Sequence, residues 1–301
     1  MAARWIDSDL FWSFRHRPGV VLAAVIVVVS VLAAIFAPWV APHNPFDLAT
    51  LNLGDALTPP AWTPSGNRTY LLGTDDQGRD VLSAIIFGSR MSLLVGVLAT
   101  LLAMATGVTL GLVSGYVGGK VDALIMRVAD IQLAFPAILI ALLVDGVARV
   151  ALKTHFSDQL ALYVIVIAIA ASGWVRYART VRGSTLVERN REYVQAARVI
   201  GRHPVAIMFT HVLPNALGPV LVLVTLHIGE AIITEAILSF LGVGVPPTQP
   251  SLGTLIRIGN DFLFSGEWWI TVFPGAALVI LVLAINVLGD WLRDALNPRL
   301  R

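Results

Sequence analysis

Long apolar runs alternate along this chain with shorter segments rich in Pro, Gly and charge. Gly19–Val40 carries no charge over 22 residues, and Met91–Tyr116 carries none over 26. A bilayer core about 30 Å thick is crossed by about 20 apolar residues rising 1.5 Å each, so both runs are long enough to span it. Leu160–Val175 is uncharged over 16 residues, and Trp269–Leu288 has Asn286 as its main polar interruption. Leu133–Val147 is shorter, contains Asp145, and extends back through a less apolar turn from Leu124. Leu217–Leu241 is long but carries His227, Glu230 and Glu235. The pattern predicts an all-α polytopic membrane protein with six transmembrane helices. Trp12, Trp39, Trp174, Trp268, Trp269 and Trp291 fall near the predicted span ends, where indoles settle at the membrane interface.

Composition agrees with the pattern. Only 13% of the 301 residues are charged, about half of the roughly 25% of a soluble domain, and 56% are hydrophobic. That excludes a soluble globular enzyme as well as a disordered or collagen-like chain. With no Cys there is no disulfide framework, thiol nucleophile or Cys-ligated metal site. Arg15 and Arg17 precede the first run as they would precede a signal peptide. The run exceeds the 7–15 residues of a signal core and no Ala-x-Ala site follows, so it reads as a retained anchor.

Charge then orients the spans. With the N-terminus inside, all basic residues except Arg68, Arg79, Arg90, Arg149, Lys153 and Arg257 fall in inner segments, which places both termini in the cytoplasm. The largest inner loop, about Arg176–Ala216, is rich in arginine. The outer loops, about Ala41–Ser89 and Gly242–Glu267, are rich in Pro and Gly and read as turns and short helices.

Two spans carry unusual patterns. Ala99, Ala103, Gly107, Gly111, Gly115 and Gly119 recur every four residues, a strip that lets another backbone approach closely. It fits tight packing within the chain, a subunit interface, or a sliding surface. In the fifth span His227, Glu230 and Thr234 share one helix face, with Glu235 beside it. An ionisable group at membrane depth costs at least about 2.5 kcal/mol, so it faces a bundle interior or a watery path. Either a polar packing lock or the lining of a solute path fits these four residues. Asp130 and Gln132 pose the same question near span three, and Arg127, three residues before Asp130, reads as its ion-pair partner.

The loop after span four is the most informative segment. Glu188–Ile200 reads as a helix with Val194, Ala197 and Ile200 on one side and arginines on the other. Gly201 can end it in a left-handed conformation, Pro204 suits the first turn of a second short helix, and Pro214 closes that helix. The result is a helix–Gly–helix elbow. Such a basic elbow could dock a partner or lie on anionic headgroups, and the ordered Gly and Pro punctuation favours docking.

This segment resembles the EAA loop of ABC importer permeases. Gln195-Ala196-Ala197-Arg198, then Gly201, Arg202, His203 and Pro204, then His211-Val212-Leu213-Pro214 follow that loop, with Gln195 in place of Glu, His211 in place of Ile and one extra residue before the Gly. Four further stretches are similar to the C-type permeases of dipeptide, oligopeptide and nickel importers. They are Leu72–Asp80, Gly115–Asp130, Thr234–Gly253 and Trp268–Arg301, in the same order. The resemblance implies a type I ABC importer permease fold, divided as a cytoplasmic segment at 1–18, a first transmembrane helix at 19–41 and an extracytoplasmic loop at 42–89. A five-helix core at 90–295, with the EAA-like loop at 186–216, and a cytoplasmic tail at 296–301 complete it. It further implies a prokaryotic inner membrane, a homologous second permease, two ATP-binding subunits, an extracytoplasmic solute-binding protein and the bilayer as partners. The elbow would be the coupling helix. ATP and Mg would sit on the partner subunits, with no cofactor on this chain.

The chain's own residues agree that energy comes from elsewhere. Gly118-Gly119-Lys120 is followed by Val121, so it lacks the hydroxyl that a phosphate-binding loop supplies to magnesium. Catalytic and metal motifs are missing too: there is no His-Glu-x-x-His and no Gly-x-Ser-x-Gly. An ion-coupled secondary transporter could use Glu230, Glu235, His227 and Asp130 for protons, but such folds carry an internal inverted repeat that this chain lacks. The arginines serve the inner leaflet and docking rather than nucleic acid. Within the resembling group the cargo ranges over dipeptides, longer peptides, nickel chelates and glutathione. The lack of a dedicated metal-ligand cluster favours peptides.

Overall fold

The computed structural model describes residues 9–47, 51–152, 157–246 and 248–295; Arg4, Lys153 and the tail at 296–301 lie outside them. A short helix α1 (Asp9–Arg15) leads into α2 (Pro18–Ile35), and a single turn α3 (Ala37–Val40) follows. Next come α4 (Val81–Val117), α5 (Gly119–Leu133), α6 (Ala137–Ala151) and α7 (Asp158–Glu188). The elbow contains α8 (Glu192–Val199), α9 (Pro204–Ile207) and α10 (Leu213–Ala216), after which α11 (Gly218–Phe240), α12 (Leu252–Asn260) and α13 (Trp269–Ala295) complete the bundle. Five of these helices are long and apolar enough to cross a membrane, or six if α5 and α6 together make one bent span.

Local chemistry sets the starts. Asp80 caps α4 by accepting from the Ser83 amide at 3.0 Å, and Ser157 and Ser251 cap α7 and α12 in the same way. α4 therefore begins ten residues before the uncharged run and reaches 37 residues, about 55 Å. Likewise α7 continues through the arginines to Glu188, so the inner loop predicted from Arg176 begins only after that residue. Trp174 lies inside α7, and its Nε1 donates to Gln132 Oε1 at 2.8 Å.

The third span is not one smooth helix. α5 and α6 meet at 98°. Pro136 stands at the break with ψ of 135°, and a proline both lacks an amide donor and pushes the residue before it out of helical geometry.

α4 and α7 form the spine of the molecule. Gly107, Gly111 and Gly115 all face α7, and none could carry a β-carbon. At Gly107 it would fall 2.4 Å from the Trp174 carbonyl oxygen, at Gly111 2.4 Å from that of Ala178, and at Gly115 2.7 Å from the Thr185 β-carbon. Ala99 and Ala103 are buried along the same strip. Gly119 does not belong to it: α4 ends at Val117, and Gly119 (φ +57°) opens α5 in open space.

At the end opposite the elbow, the segment before α4 is tied down. Asp75 accepts from the amides of Gln77 and Arg79 and from Arg79 Nε at 2.6 Å, while Trp269 Nε1 donates to the Thr74 carbonyl at 3.0 Å. Gly78 (φ +76°) makes the turn possible, since a β-carbon there would strike the Asn52 carbonyl oxygen at 2.4 Å.

Candidate functional site

The elbow is built as a cap on the bundle end with one face turned away from it. Val194, Ala197, Ile207, Met208 and Val212 are buried in a core shared with Leu112, Tyr177 and Val181 of α4 and α7. Between α8 and α9 the chain reverses at Gly201 (φ +77°). The Gly201 amide donates to the Arg198 carbonyl and the Arg202 amide to the Ala197 carbonyl, the paired closure that ends a helix on a left-handed residue. Pro204 then starts α9, and His203 Nδ1 accepts from the Val205 amide at 3.4 Å.

Three expectations for the elbow change. The first helix is not continuous from Glu188, because a turn at residues 189–191 separates α7 from α8. Ile200 stands at the C-cap of α8, about 120° round the helix from buried Val194, so it points outward and is 76% exposed. Pro214 does not close the second helix. It sits in the first turn of α10, preceded by a π-helical turn over Met208–Val212. The wider turn lets the helix run on past a residue with no amide donor.

Side chains brace this cap. Tyr193 donates to the Glu188 carboxylate and accepts from Asn215 Nδ2 at 3.2 Å, and its ring stacks with His211. Burial, and then the Glu188 carboxylate, push the Tyr193 phenol up, so it stays a donor. Arg189 Nη1 donates to the Gly115 carbonyl at 2.8 Å, and Arg198 lies over the Tyr116 ring.

Of the elbow residues singled out from sequence, Gln195, Ala196, Arg198, Gly201, Arg202, His203, Pro204 and Pro214 are exposed, and Ala197 turns into the core. Sequence reasoning missed the apolar half of this surface. Val199, Ile200, Val205 and Phe209 are all more than half exposed around Gly201. The signal was available as apolar residues flanking a left-handed glycine, a place where a tight turn has no interior to bury them.

The polar residues of the fifth span are not one cluster. His227 is buried, with Tyr177 Oη 3.0 Å from its Nδ1, and its ring fills the place a side chain at Gly173 would need. Glu235 is fully buried about two turns further along α11, accepting from Ser92 Oγ at 2.8 Å and Ser239 Oγ at 2.6 Å. The Ser92 hydroxyl in turn accepts from the Leu252 amide, so one carboxylate ties together α4, α11 and α12. Thr234 donates to the Glu230 carbonyl of its own helix at 2.9 Å. Glu230 alone is half-exposed, in a two-pronged pair with Arg176 of α7.

That pair heads a ladder. Arg179 meets Asp130 at 2.5 Å and Arg182 meets Asp122 at 2.5 and 2.7 Å, both acids lying on α5. Asp130 is thus held by α7 rather than by Arg127 of its own helix. Asp122 also accepts from Ser114 Oγ. Asp145, fully buried in α6, pairs with Arg149 one turn later at 2.6 Å.

The structure is thus a bundle of apolar helices with one broken span, a row of ion pairs along α7 and a cap that presents an uncovered face. Comparison with known proteins gives the family. The profile of the binding-protein-dependent transport system inner membrane component matches residues 107–301, and that of the N-terminal transmembrane domain of oligopeptide transport permease C matches residues 5–60. The chain is 40% identical over 294 residues to a dipeptide transport system permease protein, DppC, of Haemophilus influenzae, covering 98% of this chain and 95% of the relative. It is 44% identical to the Escherichia coli K12 protein of the same name, over 97% and 93% of the two chains. The oligopeptide transport system permease protein OppC of Bacillus subtilis is 38% identical over 99% of this chain and 90% of that one. Among solved structures, the inward-facing MetNI methionine ABC transporter has a chain with a TM-score of 0.55 and 19% identity, covering 71% of this chain and 96% of that one, which speaks to the fold.

The chain belongs to the family of binding-protein-dependent transport permeases and, within it, to the C-type dipeptide and oligopeptide permeases. It is a membrane permease subunit of an ABC importer with the type I fold. The family works with ATPase and solute-binding protein partners, and ATP hydrolysis resides on the separate ATPase.

Proposed function

We propose that this chain forms half of a translocation path for di- or oligopeptides, pairing with a homologous permease above two ATP-binding subunits. A solute-binding protein would deliver the peptide at the end opposite the elbow. The cargo reading rests on near full-length similarity at 38–44% identity to permeases named for dipeptide and oligopeptide transport. Both termini and the elbow lie on the cytoplasmic side of a prokaryotic inner membrane in this reading, in keeping with the excess of arginine there.

The observation that carries the coupling role is the uncovered apolar face of Val199, Ile200, Val205 and Phe209 on a cap whose other face is built into the core. An exposed apolar patch rimmed by Arg198, Arg202 and His203 suits a groove on another protein. Closure of the ATPases would push the cap, and the bundle would switch packing as a body. Of the candidate path residues we assign Glu230, with Arg176, to the path wall. His227, Thr234 and Glu235 serve packing.

The test is Ile200→Asp in the assembled transporter. It places a charge in the middle of the face at a site that is 76% exposed, so the fold keeps its stability within about 0.5 kcal/mol. Peptide uptake and transport-stimulated ATP hydrolysis should fall together by tenfold or more. Normal coupling in this variant would sink the docking role. Uptake that is ATP-dependent but indifferent to di- and tripeptides as competitors would instead sink the cargo reading.

A further inference from the structure

At the end opposite the elbow, the segment before α4 does more than close the bundle: it descends the outside of α13. Val272, Ala276, Val279, Ile280 and Leu283 are exposed along one face of that helix, an arc of about 100° at 100° per residue. Trp269 falls inside the same arc but is only 7% exposed. Gly73 and Thr74 cover it: the indole Nε1 donates to the Thr74 carbonyl, and a β-carbon at Gly73 would lie 2.9 Å from that nitrogen. One turn further along α13, the ring of Trp62 packs edge-on to Phe273 with centroids 5.9 Å apart, and Trp268 lies 5.5 Å from the same ring.

The level of that contact is informative. The uncharged run of α13 begins at Trp269, and Phe273 is four residues, about 6 Å, inside it. Trp62 therefore stands beside the span, not beyond its end. It is 59% exposed, and Leu71, whose carbonyl accepts from the Ala61 amide at 3.2 Å, is 54% exposed. The turn at 59–66 that carries Trp62 has no charged residue, and Pro59, Pro60 and Pro64 have no amide donor. The Ala61, Thr63 and Gly66 amides donate to the carbonyls of Leu71, Pro60 and Thr63. With most of its donors removed or used, this backbone enters a poorly hydrated layer at little cost. The nearest charges in sequence are Asp55 and Arg68. The Asp55 carboxylate is taken up by Tyr70 Oη at 3.1 Å and Asn52 Nδ2 at 3.2 Å, and Arg68 is exposed and long enough to reach a headgroup phosphate.

We propose that this turn is a membrane foot. Trp62 and Leu71 sit among lipids at the interface of the leaflet opposite the elbow, where an indole finds apolar contact for its ring and an acceptor for its N–H. Lipid rather than a second subunit is the neighbour, because four of the five exposed residues on the α13 face are branched aliphatics. Membrane helices that associate draw close through strips of small residues, and this face has no such strip. The foot fixes the height of the outer segment, and with it the turn at Asp75 and Arg79 that leads into α4.

The experiment uses the assembled transporter, with partner subunits freed of reactive cysteines, in vesicles of phosphatidylethanolamine and phosphatidylglycerol. The chain has no cysteine of its own, so Trp62→Cys takes a single bimane label. Val279→Cys, 64% exposed on the same face and about 9 Å deeper than Phe273, gives the hydrocarbon reference. Replacing the lipid with one brominated high on its acyl chains should quench the label at 62 at least as strongly as the label at 279, and iodide in the buffer should quench it far less than it quenches free dye. If Trp62→Cys fails to assemble, Leu71→Cys is read in the same way. Full iodide quenching with no loss to brominated lipid would make the turn an aqueous loop and overturn the proposal. Shielding from both quenchers overturns it too, because another subunit then covers the turn.

Discussion

Helix α7 meets its neighbours through two unlike faces. Toward α4 it presents Trp174, Tyr177, Ala178 and Thr185 to three glycines, and backbone touches backbone. Along another edge it extends Arg176, Arg179 and Arg182 to Glu230 of α11 and to Asp130 and Asp122 of α5, long side chains that meet as partly exposed ion pairs. The first face gains by dispersion at close range, which vanishes with a small displacement. The second is held by ion pairs whose stems can swing, so it tolerates relative movement. A transport subunit needs both: a spine that moves as a body, and seams along which other helices shift against it.

The sharpest way to break that contrast is Gly111→Leu. Its first side-chain carbon would fall 2.4 Å from the Ala178 carbonyl oxygen, and backbone cannot yield as a flexible side chain can. The cost should reach at least about 3 kcal/mol, the upper range for overpacking, and the chain should fail to assemble. Thermal unfolding of the purified complex measures this. Gly146, which has nothing within 4 Å of its would-be β-carbon, is the control and should accept Ala without loss.

Next in size is the effect of Arg176→Ala, and here stability and transport should part company. The pair with Glu230 is nearly half exposed on both sides, so its worth to folding is about 1 kcal/mol or less. Uptake should nevertheless fall about tenfold, because the variant leaves an unpaired carboxylate on the wall of the proposed path. Reversing the pair, Arg176→Glu with Glu230→Arg, should recover part of the uptake. A large stability loss with proportionate uptake loss would make this pair another packing lock, like the one at Glu235.

Much of this architecture is visible in the order of residues, and the exceptions share a cause. The small-residue period in α4 marks its close-packed face without any knowledge of α7. The left-handed turn at Gly201 and the start at Pro204 are local, so a local reading finds them. The partner of Asp130 is not local. Arg127 is near in sequence, but Arg179 is nearer in space, since the 98° bend at Pro136 lays α5 against the end of α7. Ile200 failed for a subtler reason: steps of three drift about 60° each round a 3.6-residue helix, and Ile200 falls at the C-cap where α8 ends, so the third member of the series leaves the buried face. Glu230 and Glu235 lie five residues apart, and Arg176 of α7 on the one and the serines of α4 and α11 on the other separate their roles.

The smallest expected effect tests whether the ladder's rungs are graded. Arg179 and Asp130 are each about half exposed, they form a single-pronged contact, and among the described residues no further side chain hydrogen-bonds to the pair. Arg182 and Asp122 are better covered, are joined by two bonds and by Ser114, and sit where the Arg182 guanidinium holds the α5 start against α7. Arg179→Gln should therefore change stability by less than about 0.5 kcal/mol, while Arg182→Gln should cost about 1–3 kcal/mol through the unmade bonds to a covered carboxylate. High salt should shrink the first difference and leave most of the second, because screening reaches the exposed rung first. If the two substitutions cost the same at every salt concentration, the arginine face is as uniform as the glycine face, and the division of α7 into a fixed and a yielding side fails.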